Sequence, residues 1–241
     1  QQKWGGKIGP NDPFVYGRDW YYGSDKGKYS MRTFDPYDYM IEEWTPAMTH
    51  NLSVNGKSGK TTFNIGLGYL SQDGLMKTAK KDDFKRYNAS VSVTSEINKY
   101  ITVRASSIYS DRNKRYPGIG NTTADPWLYL YRWGPTVPMG YNEDGQELRS
   151  PASETRQANT ANIENSYANI NIGATLNITK DWKFDIDYTY ANEQEINNRP
   201  GTRYTAANTW GAATEKKDAA GNQIYVDENG NTVAADAAGA M

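Results

Sequence analysis

Cysteine is absent from the 241 residues, so neither a disulfide framework nor a thiolate metal site is open to this chain. Long apolar runs are missing too: no stretch approaches the roughly 18 apolar residues that a membrane-crossing helix requires. Histidine occurs once, at His50, with no thiol or serine motif nearby to build a triad or a metal cluster. Excess charge is also lacking, with 27 basic against 28 acidic side chains. Without a global field, or a basic run interleaved with aromatics, nucleic acid is not an expected partner. The opening Gln1-Gln2-Lys3-Trp4 has no charged region followed by an apolar one, so no secretory leader is read there. The start fits a mature chain or a piece of something longer. Aliphatic residues are scarce as well. The hydrophobic class is 37%, against roughly 45–50% for ordinary domains on a count that includes glycine. With a mean hydropathy of −0.85, a soluble core of this length is poorly supplied.

Tyrosine (19), tryptophan (7) and glycine (22) are plentiful instead, and the strongest local pattern is alternation with period two. It predicts six strands, near 49–56, 61–71, 84–97, 100–111, 166–178 and 182–194. Phe63, Ile65, Leu67 and Tyr69 fall on one face of the second, with Asn64, Gly66 and Gly68 on the other. Val91 and Val93 alternate with Ser90 and Ser92 in the third, and Ile101 and Val103 with Thr102 and Arg104 in the fourth. Ile170, Ile172 and Leu176 alternate with Asn169 and Asn171 in the fifth. Phe184 and Ile186 alternate with Asp185 and Asp187 in the last.

Connections alternate in length. Tight turns are expected at 57–60, 98–99 and 179–181, and long ones at 72–83, 112–165 and beyond 195. Short turns at one end and long loops at the other are the layout of an outer-membrane barrel. A soluble sandwich is the competing architecture, but its strands usually run about 5–6 residues. Its solvated face also tends to carry Lys and Glu, whereas the polar face here is mostly Asn, Ser, Thr and Gly. The fold class is therefore all-β: an antiparallel transmembrane β-barrel segment with long extracellular loops. Closed single-chain barrels begin at about eight strands, so six strands form part of a larger one. Residues 1–48 are read as an extracellular loop region and 49–241 as the partial barrel, with outer loops 112–165 and 195–241.

Two short helices are expected in the loops. Asp35-Pro36 can cap one reaching Trp44, and Asp125-Pro126 another reaching Trp133, since Asp at the N-cap and Pro at the first helical position start helices well. Trp127, Leu130 and Tyr131 share a face of the second. That face either anchors the loop on the barrel rim or offers a stacking platform; Trp127, Tyr131, Trp133 and Tyr141 are the candidate contacts for substrate or partner. Asn229-Gly230 suggests a hairpin at 223–233, and the acidic stretch from Asp227 lacks the glycine and glutamate positions of a calcium loop. Asp185 and Asp187 lie on one strand face and cannot flank a glycosidic bond. They read, with Arg104, as lumen-facing charges, with Lys183 a natural ion partner. The Asn-x-Ser/Thr sites at Asn51, Asn88, Asn121 and Asn177 mostly fall within strands and read as polar lumen residues. No catalytic residue, metal or cofactor is assigned.

The run from Thr49-His50-Asn51-Leu52-Ser53-Val54-Asn55-Gly56 through Lys60-Thr61-Thr62-Phe63-Asn64-Ile65-Gly66-Leu67-Gly68-Tyr69 to Gln72-Asp73-Gly74 resembles the first barrel hairpins of the SusC/RagA family, TonB-linked outer-membrane transporters of Bacteroidetes. Arg86-Tyr87-Asn88, Ile97-Asn98-Lys99-Tyr100, Pro135-Thr136-Val137-Pro138 and Tyr141-Asn142-Glu143-Asp144-Gly145 add to it. The resemblance spans about Tyr16 to Arg199. It implies a plugged barrel of about 22 strands in the bacterial outer membrane, and a SusD-like lipoprotein that captures glycan or peptide outside. It also implies a TonB complex acting through parts this chain lacks, with outer-membrane lipid around the wall and room for a dimer of transporter–lipoprotein pairs. The competing functions are a non-transporting surface or adhesion barrel and a β-rich carbohydrate-active enzyme.

Overall fold

The computed structural model describes residues 8–9, 12–24, 28–119, 126–207, 218–222, 224–226 and 232–234. The dominant feature is one open antiparallel sheet of six strands in strict sequence order. Ahead of it come a small hairpin, β1 (Trp20–Tyr22) with β2 (Lys28–Ser30), and the short helix α1 (Pro36–Met40). The large sheet comprises β3 (Ala47–Ser58), β4 (Thr61–Asp73), β5 (Asp83–Glu96), β6 (Ile101–Gly118), β7 (Asn159–Asn177) and β8 (Lys183–Asn198). Helices α2 (Pro126–Arg132) and α3 (Pro151–Gln157) lie between β6 and β7, and a minor pair, β9 (Tyr225–Val226) with β10 (Thr232–Val233), follows.

The short turns show why the chain reverses where it does. Gly59, at φ 59°, supplies the left-handed residue between β3 and β4, a conformation that costs most other residues energy. Between β5 and β6 the Asn98 side chain accepts from the backbone N–H groups of Tyr100 (2.8 Å) and Ile101 (3.0 Å). Between β7 and β8 the Thr179 hydroxyl does the same for Asp181 (3.3 Å) and Trp182 (3.1 Å). Asn and Thr side chains mimic a backbone turn in this way. All three turns lie at one end of the sheet, and the longer connections at the other.

Every expected strand is present, and each grows at its outer end. The largest gain is on β6 and β7, which pair as far as Gly118 with Asn159. The connection expected at 112–165 therefore shrinks to 119–158. Helix α1 is capped as expected, the Asp35 carboxylate accepting from the Tyr37 N–H at 2.8 Å. It stops at Met40 rather than reaching Trp44, because Ile41 turns extended and bridges Met76. Helix α3 was not anticipated. The Asp125 cap and the Asn229-Gly230 turn lie outside the described residues.

The buried core sits at the outer end of the sheet, among the loops. Phe14, Phe34, Met40, Met76, Leu130, Trp133, Met139, Leu148 and Ala152 pack together there. They come from several short segments, so the loops fold on one another rather than lying separately over the strands. The segment after β8 returns to join them: Ala207 bridges Leu148, and the Tyr204 hydroxyl meets that of Ser153 at 2.7 Å. No described helix is long and apolar enough to cross a membrane.

Candidate functional site

The register assigns every sheet residue to a face. Phe63 pairs with Val93, which pairs with Ala105, then Ile172, then Tyr188. Ile65, Val91, Ser107, Ile170 and Tyr190 form the next row, and Val103, Ala174 and Ile186 another. The opposite face carries Asn64, Ser92, Ser106, Asn171 and Thr189 in one row, and Thr94, Arg104, Gly173 and Asp187 in a second. One face is thus apolar across six strands and the other mainly polar, with Leu70, Phe84, Ile108 and Ile163 among its exceptions. The apolar face is not covered by this chain: Leu52 is 60% exposed, Ile172 57% and Phe184 52%. A contiguous exposed patch on this scale marks an interface with lipid or with another surface.

The apolar band also runs obliquely to the strands. Its outer limit is Tyr69 on β4 and Tyr87 on β5, which share a row. That row continues to Asp111 on β6 and Gln194 on β8, whereas the band there ends at Tyr109 and Tyr190, two and four residues nearer the short turns. The inner limit behaves alike. The row of Phe63 passes through Ala105, Ile172 and Tyr188, yet the band continues four residues further, to Ile101, Leu176 and Phe184. About four residues over four strand spacings, at ~3.3 Å per residue and ~4.8 Å per strand, is a slope of roughly 35°. Strands in outer-membrane barrels tilt by about 35–45°, so a level lipid slab would trace such a line. Aromatic rings mark its edges: His50 stacks on Tyr69 at 6.3 Å, and Tyr69 meets Tyr87 at 5.0 Å. Trp182, 69% exposed, stands at the inner side.

On the polar face the three predicted lumen charges come together across three strands. Arg104 on β6 reaches over β7 to Asp187 on β8, with Nη2 at 3.2 Å from both carboxylate oxygens. Its Nη1 donates to the Thr175 hydroxyl at 2.6 Å and lies 3.6 Å from Asp185. Arg104, rather than Lys183, is the ion partner of both aspartates. Gly173, between Arg104 and Asp187 in the register, makes the crossing possible, since a Cβ there would collide with the Asp187 carboxylate. All three charges are partly exposed, so the pair contributes at most about 1 kcal/mol. We expect a double-mutant cycle on Arg104 and Asp187 to give roughly 0.5–1 kcal/mol, falling to zero in a Gly173→Val background. Equal coupling in both backgrounds would show that the glycine is incidental.

The outer loop cluster holds the predicted contact aromatics, and it separates them. Trp127 and Tyr131 project from α2, 50% and 67% exposed. Leu130, expected to share their face, turns into the core. Trp133 does not face outward either: it is buried, and its indole N–H donates to the Val137 carbonyl at 3.0 Å. Three residues along a helix shift the direction by nearly a full turn, and the helix ends at Arg132, so Trp133 follows Leu130 inward. Tyr141 is at the surface beside Arg156, whose guanidinium lies 5.9 Å from its ring.

Two charged nodes hold this cluster in shape. Asp19 is fully buried; its carboxylate receives Arg18 at 2.7 Å and the Val15 N–H at 2.9 Å, with Arg32 at 3.6 Å. Arg32 also donates to the carbonyls of Asp12 and Gly9, at 2.9 and 2.8 Å, and lies over the Phe34 ring. Burial pulls the Arg32 guanidinium below its ordinary value, and the hydrogen bond to Asp19 raises Arg18. At the second node Arg156 pairs with Glu147 while Gln157 binds the other Glu147 oxygen at 2.8 Å. Burial lowers Arg156, but the Tyr39 hydroxyl, Glu147 and Tyr141 more than offset that, leaving it raised. Burial likewise raises Tyr204. No group of three or more potential metal ligands occurs among the described residues.

Comparison with known proteins gives a sequence relative. The chain is 23% identical over 212 residues to TonB-dependent receptor P26 of Formosa agariphila, covering 82% of this chain and 19% of that protein. Among solved structures it aligns with the RagAB peptide importer in its closed-closed state, at a TM-score of 0.48 and 20% identity, over 68% of this chain and 20% of that one. No family model matches. The chain therefore spans about a fifth of the length of the relatives it matches. The sequence relative agrees with the SusC/RagA resemblance: the chain is similar to part of a TonB-dependent, outer-membrane β-barrel transporter.

Proposed function

We propose that this chain supplies six adjacent wall strands and the outer loops of a TonB-dependent importer, whose SusD-like lipoprotein partner delivers an oligosaccharide or peptide. The observation that carries this reading is the oblique apolar band, edged with tyrosines, on a sheet whose other face is polar. A tilted barrel wall in a level bilayer must slope its apolar face against its own register, and the strands here are longer than the roughly five residues usual in soluble sheets. Residues 1–48 then belong to the extracellular loop region and 49–241 to the partial barrel. Arg104, Asp185 and Asp187 face the lumen or the plug, an environment where ionisable groups at membrane depth are retained for function. Plug and TonB contact lie in parts of the importer outside this segment.

Under this reading, Trp127, Tyr131 and Tyr141 contact the substrate or the lipoprotein. Large rigid rings give contact area at low entropic cost, and outer loops on a stiff wall are where binding concentrates. Alanine at all three positions in the full-length protein should lower substrate uptake or lipoprotein co-purification by roughly tenfold or more, equivalent to about 1.4 kcal/mol. Heat-modifiable gel mobility should be unchanged. Trp133→Ala should differ from the triple variant by destabilising the loops themselves. Uptake and partner binding that both survive the triple replacement would sink the contact assignment.

A further inference from the structure

The outer end of the polar face differs in charge from the part that holds Arg104. Arg86 on β5 and Arg112 on β6 stand directly opposite each other in the register, and both are exposed. Lys114, also exposed, follows two residues along β6 on the same face, its Nζ 5.6 Å from the Tyr116 ring. Like charges placed directly across a ladder repel. Among the described residues no carboxylate pairs with either arginine. The Asn88 amide, in the orientation that satisfies both of its ends, offers only a neutral acceptor to Arg86 Nε at 3.2 Å.

The register shows why the pair stays unmatched. The carboxylate of this row is Glu195 on β8, beyond Asn165 of β7. Asn165 occupies the position between and donates to Glu195 at 3.3 Å. Glu193 stands one row further in, behind Tyr167. Arg104 crosses the same two-strand gap to Asp187 because Gly173 leaves the path open. The inner arginine is thus neutralised and the outer two are left facing each other.

Their level in the wall narrows what can meet them. The apolar band of the opposite face ends at Tyr87 on β5 and Tyr109 on β6, so both arginines lie outside it, at the mouth of the lumen. Leu70, Phe84 and Ile163 flank them on the same face, each half-buried.

We propose that Arg86 and Arg112, with Lys114, form a docking surface for an acidic oligopeptide substrate. Each guanidinium fork can take a carboxylate through two N–H donors, and side-chain carboxylates relieve the repulsion within the pair. Leu70, Phe84 and Ile163 suit apolar side chains set between acidic ones, which a glycan does not carry. The proposal rests on the import reading and narrows its substrate to peptides of net negative charge.

The test is fluorescence-anisotropy titration of the full-length protein in detergent with a labelled hexapeptide of alternating Glu and Leu. The same peptide with Gln for Glu is the neutral control, and an oligogalacturonate of matching charge is the competing anion. The acidic peptide should bind saturably, at least tenfold tighter than the neutral one, and more weakly as salt rises. Arg86→Gln/Arg112→Gln should lose at least tenfold in affinity. Arg112→Glu should lose as much while folding at least as well as wild type, since it gives Arg86 a cross-strand partner; it keeps the test open if the double variant fails to fold. No saturable binding, equal affinity for the two peptides, or unchanged affinity in variants of normal heat-modifiable mobility overturns the proposal. Displacement by oligogalacturonate as readily as by unlabelled acidic peptide overturns it too, assigning the surface to an anionic glycan. Orientation is read separately. If Ser92→Arg blocks assembly and Val91→Arg does not, the lumen assignment itself has failed; failed peptide binding with the opposite order removes only the peptide.

Discussion

Val91→Arg in the full-length protein is expected to abolish or severely impair barrel assembly, while Ser92→Arg, one residue away, leaves assembly largely intact. Val91 lies in the apolar row between Ile65 and Ser107, with Ile170 beyond; Ser92 lies in the polar row between Asn64 and Ser106. A guanidinium at the lipid midplane costs roughly 2–4 kcal/mol, and near zero where water or a counter-ion reaches it. Val91 sits near the middle of the band on β5, so the upper part of that range applies. Heat-modifiable mobility of the two variants, compared in outer-membrane fractions, reads the difference directly. Equal folding, or the reverse order, means that the polar face meets the lipid and the sheet has been read inside out.

The second large effect concerns Asp19. Removing a carboxylate that is fully buried takes away the anion shared by Arg18 and Arg32, the latter with a side chain only 8% exposed. Breaking a buried pair by deleting one partner costs about 3–5 kcal/mol. Asp19→Ala should therefore loosen the loop cluster while sparing the wall, because β3–β8 share no hydrogen bond with Asp19. Limited proteolysis within 12–40 should accelerate by more than tenfold while the barrel core keeps its heat-modifiable shift. Asp19→Asn, which retains acceptor geometry but not charge, should fall between wild type and alanine. Unchanged proteolysis in the alanine variant would show that Arg32 is held well enough by the backbone carbonyls alone.

The wall was legible in the sequence because each of its residues obeys a local rule. Alternation at Phe63–Tyr69 and Ile170–Leu176 fixes both strand and face without knowledge of any neighbour. The rule gave out where alternation did. Arg112-Asn113-Lys114-Arg115 looks like a loop, yet it is strand, because Arg115 pairs with Asp83 across β5 and Asn113 with Glu164 across β7. Those partners are 32 and 51 residues away, and nothing local announces them. Helix α3 escaped for a related reason. Its capping box uses Ser150 and Ser153 rather than a glutamate at the third position, and its buried residues are all small or polar. The loop core was illegible throughout, since Phe14, Met76, Met139 and Leu148 share no periodicity and meet only in three dimensions. Trp133 illustrates the cost: aromatic content marked the loop as interesting, but only packing shows which rings are spent on holding it together. Trp127 and Tyr131, from the same helix, stay at the surface.

The open edges of the sheet bear on how such a wall is made. Along β3 and β8, twelve and sixteen residues, one side of each ladder has no partner strand among the described residues. Unmet backbone donors and acceptors over such lengths template pairing with any passing chain, and in hydrocarbon each unmet group is several kcal/mol uphill. The six strands are thus easy to specify and hard to finish, since their pairing is encoded locally but their stability arrives with closure. During biogenesis the cell must keep this sheet from strangers until its remaining neighbours are in place, so the slow and vulnerable step is the sealing of the ring rather than the folding of any hairpin within it.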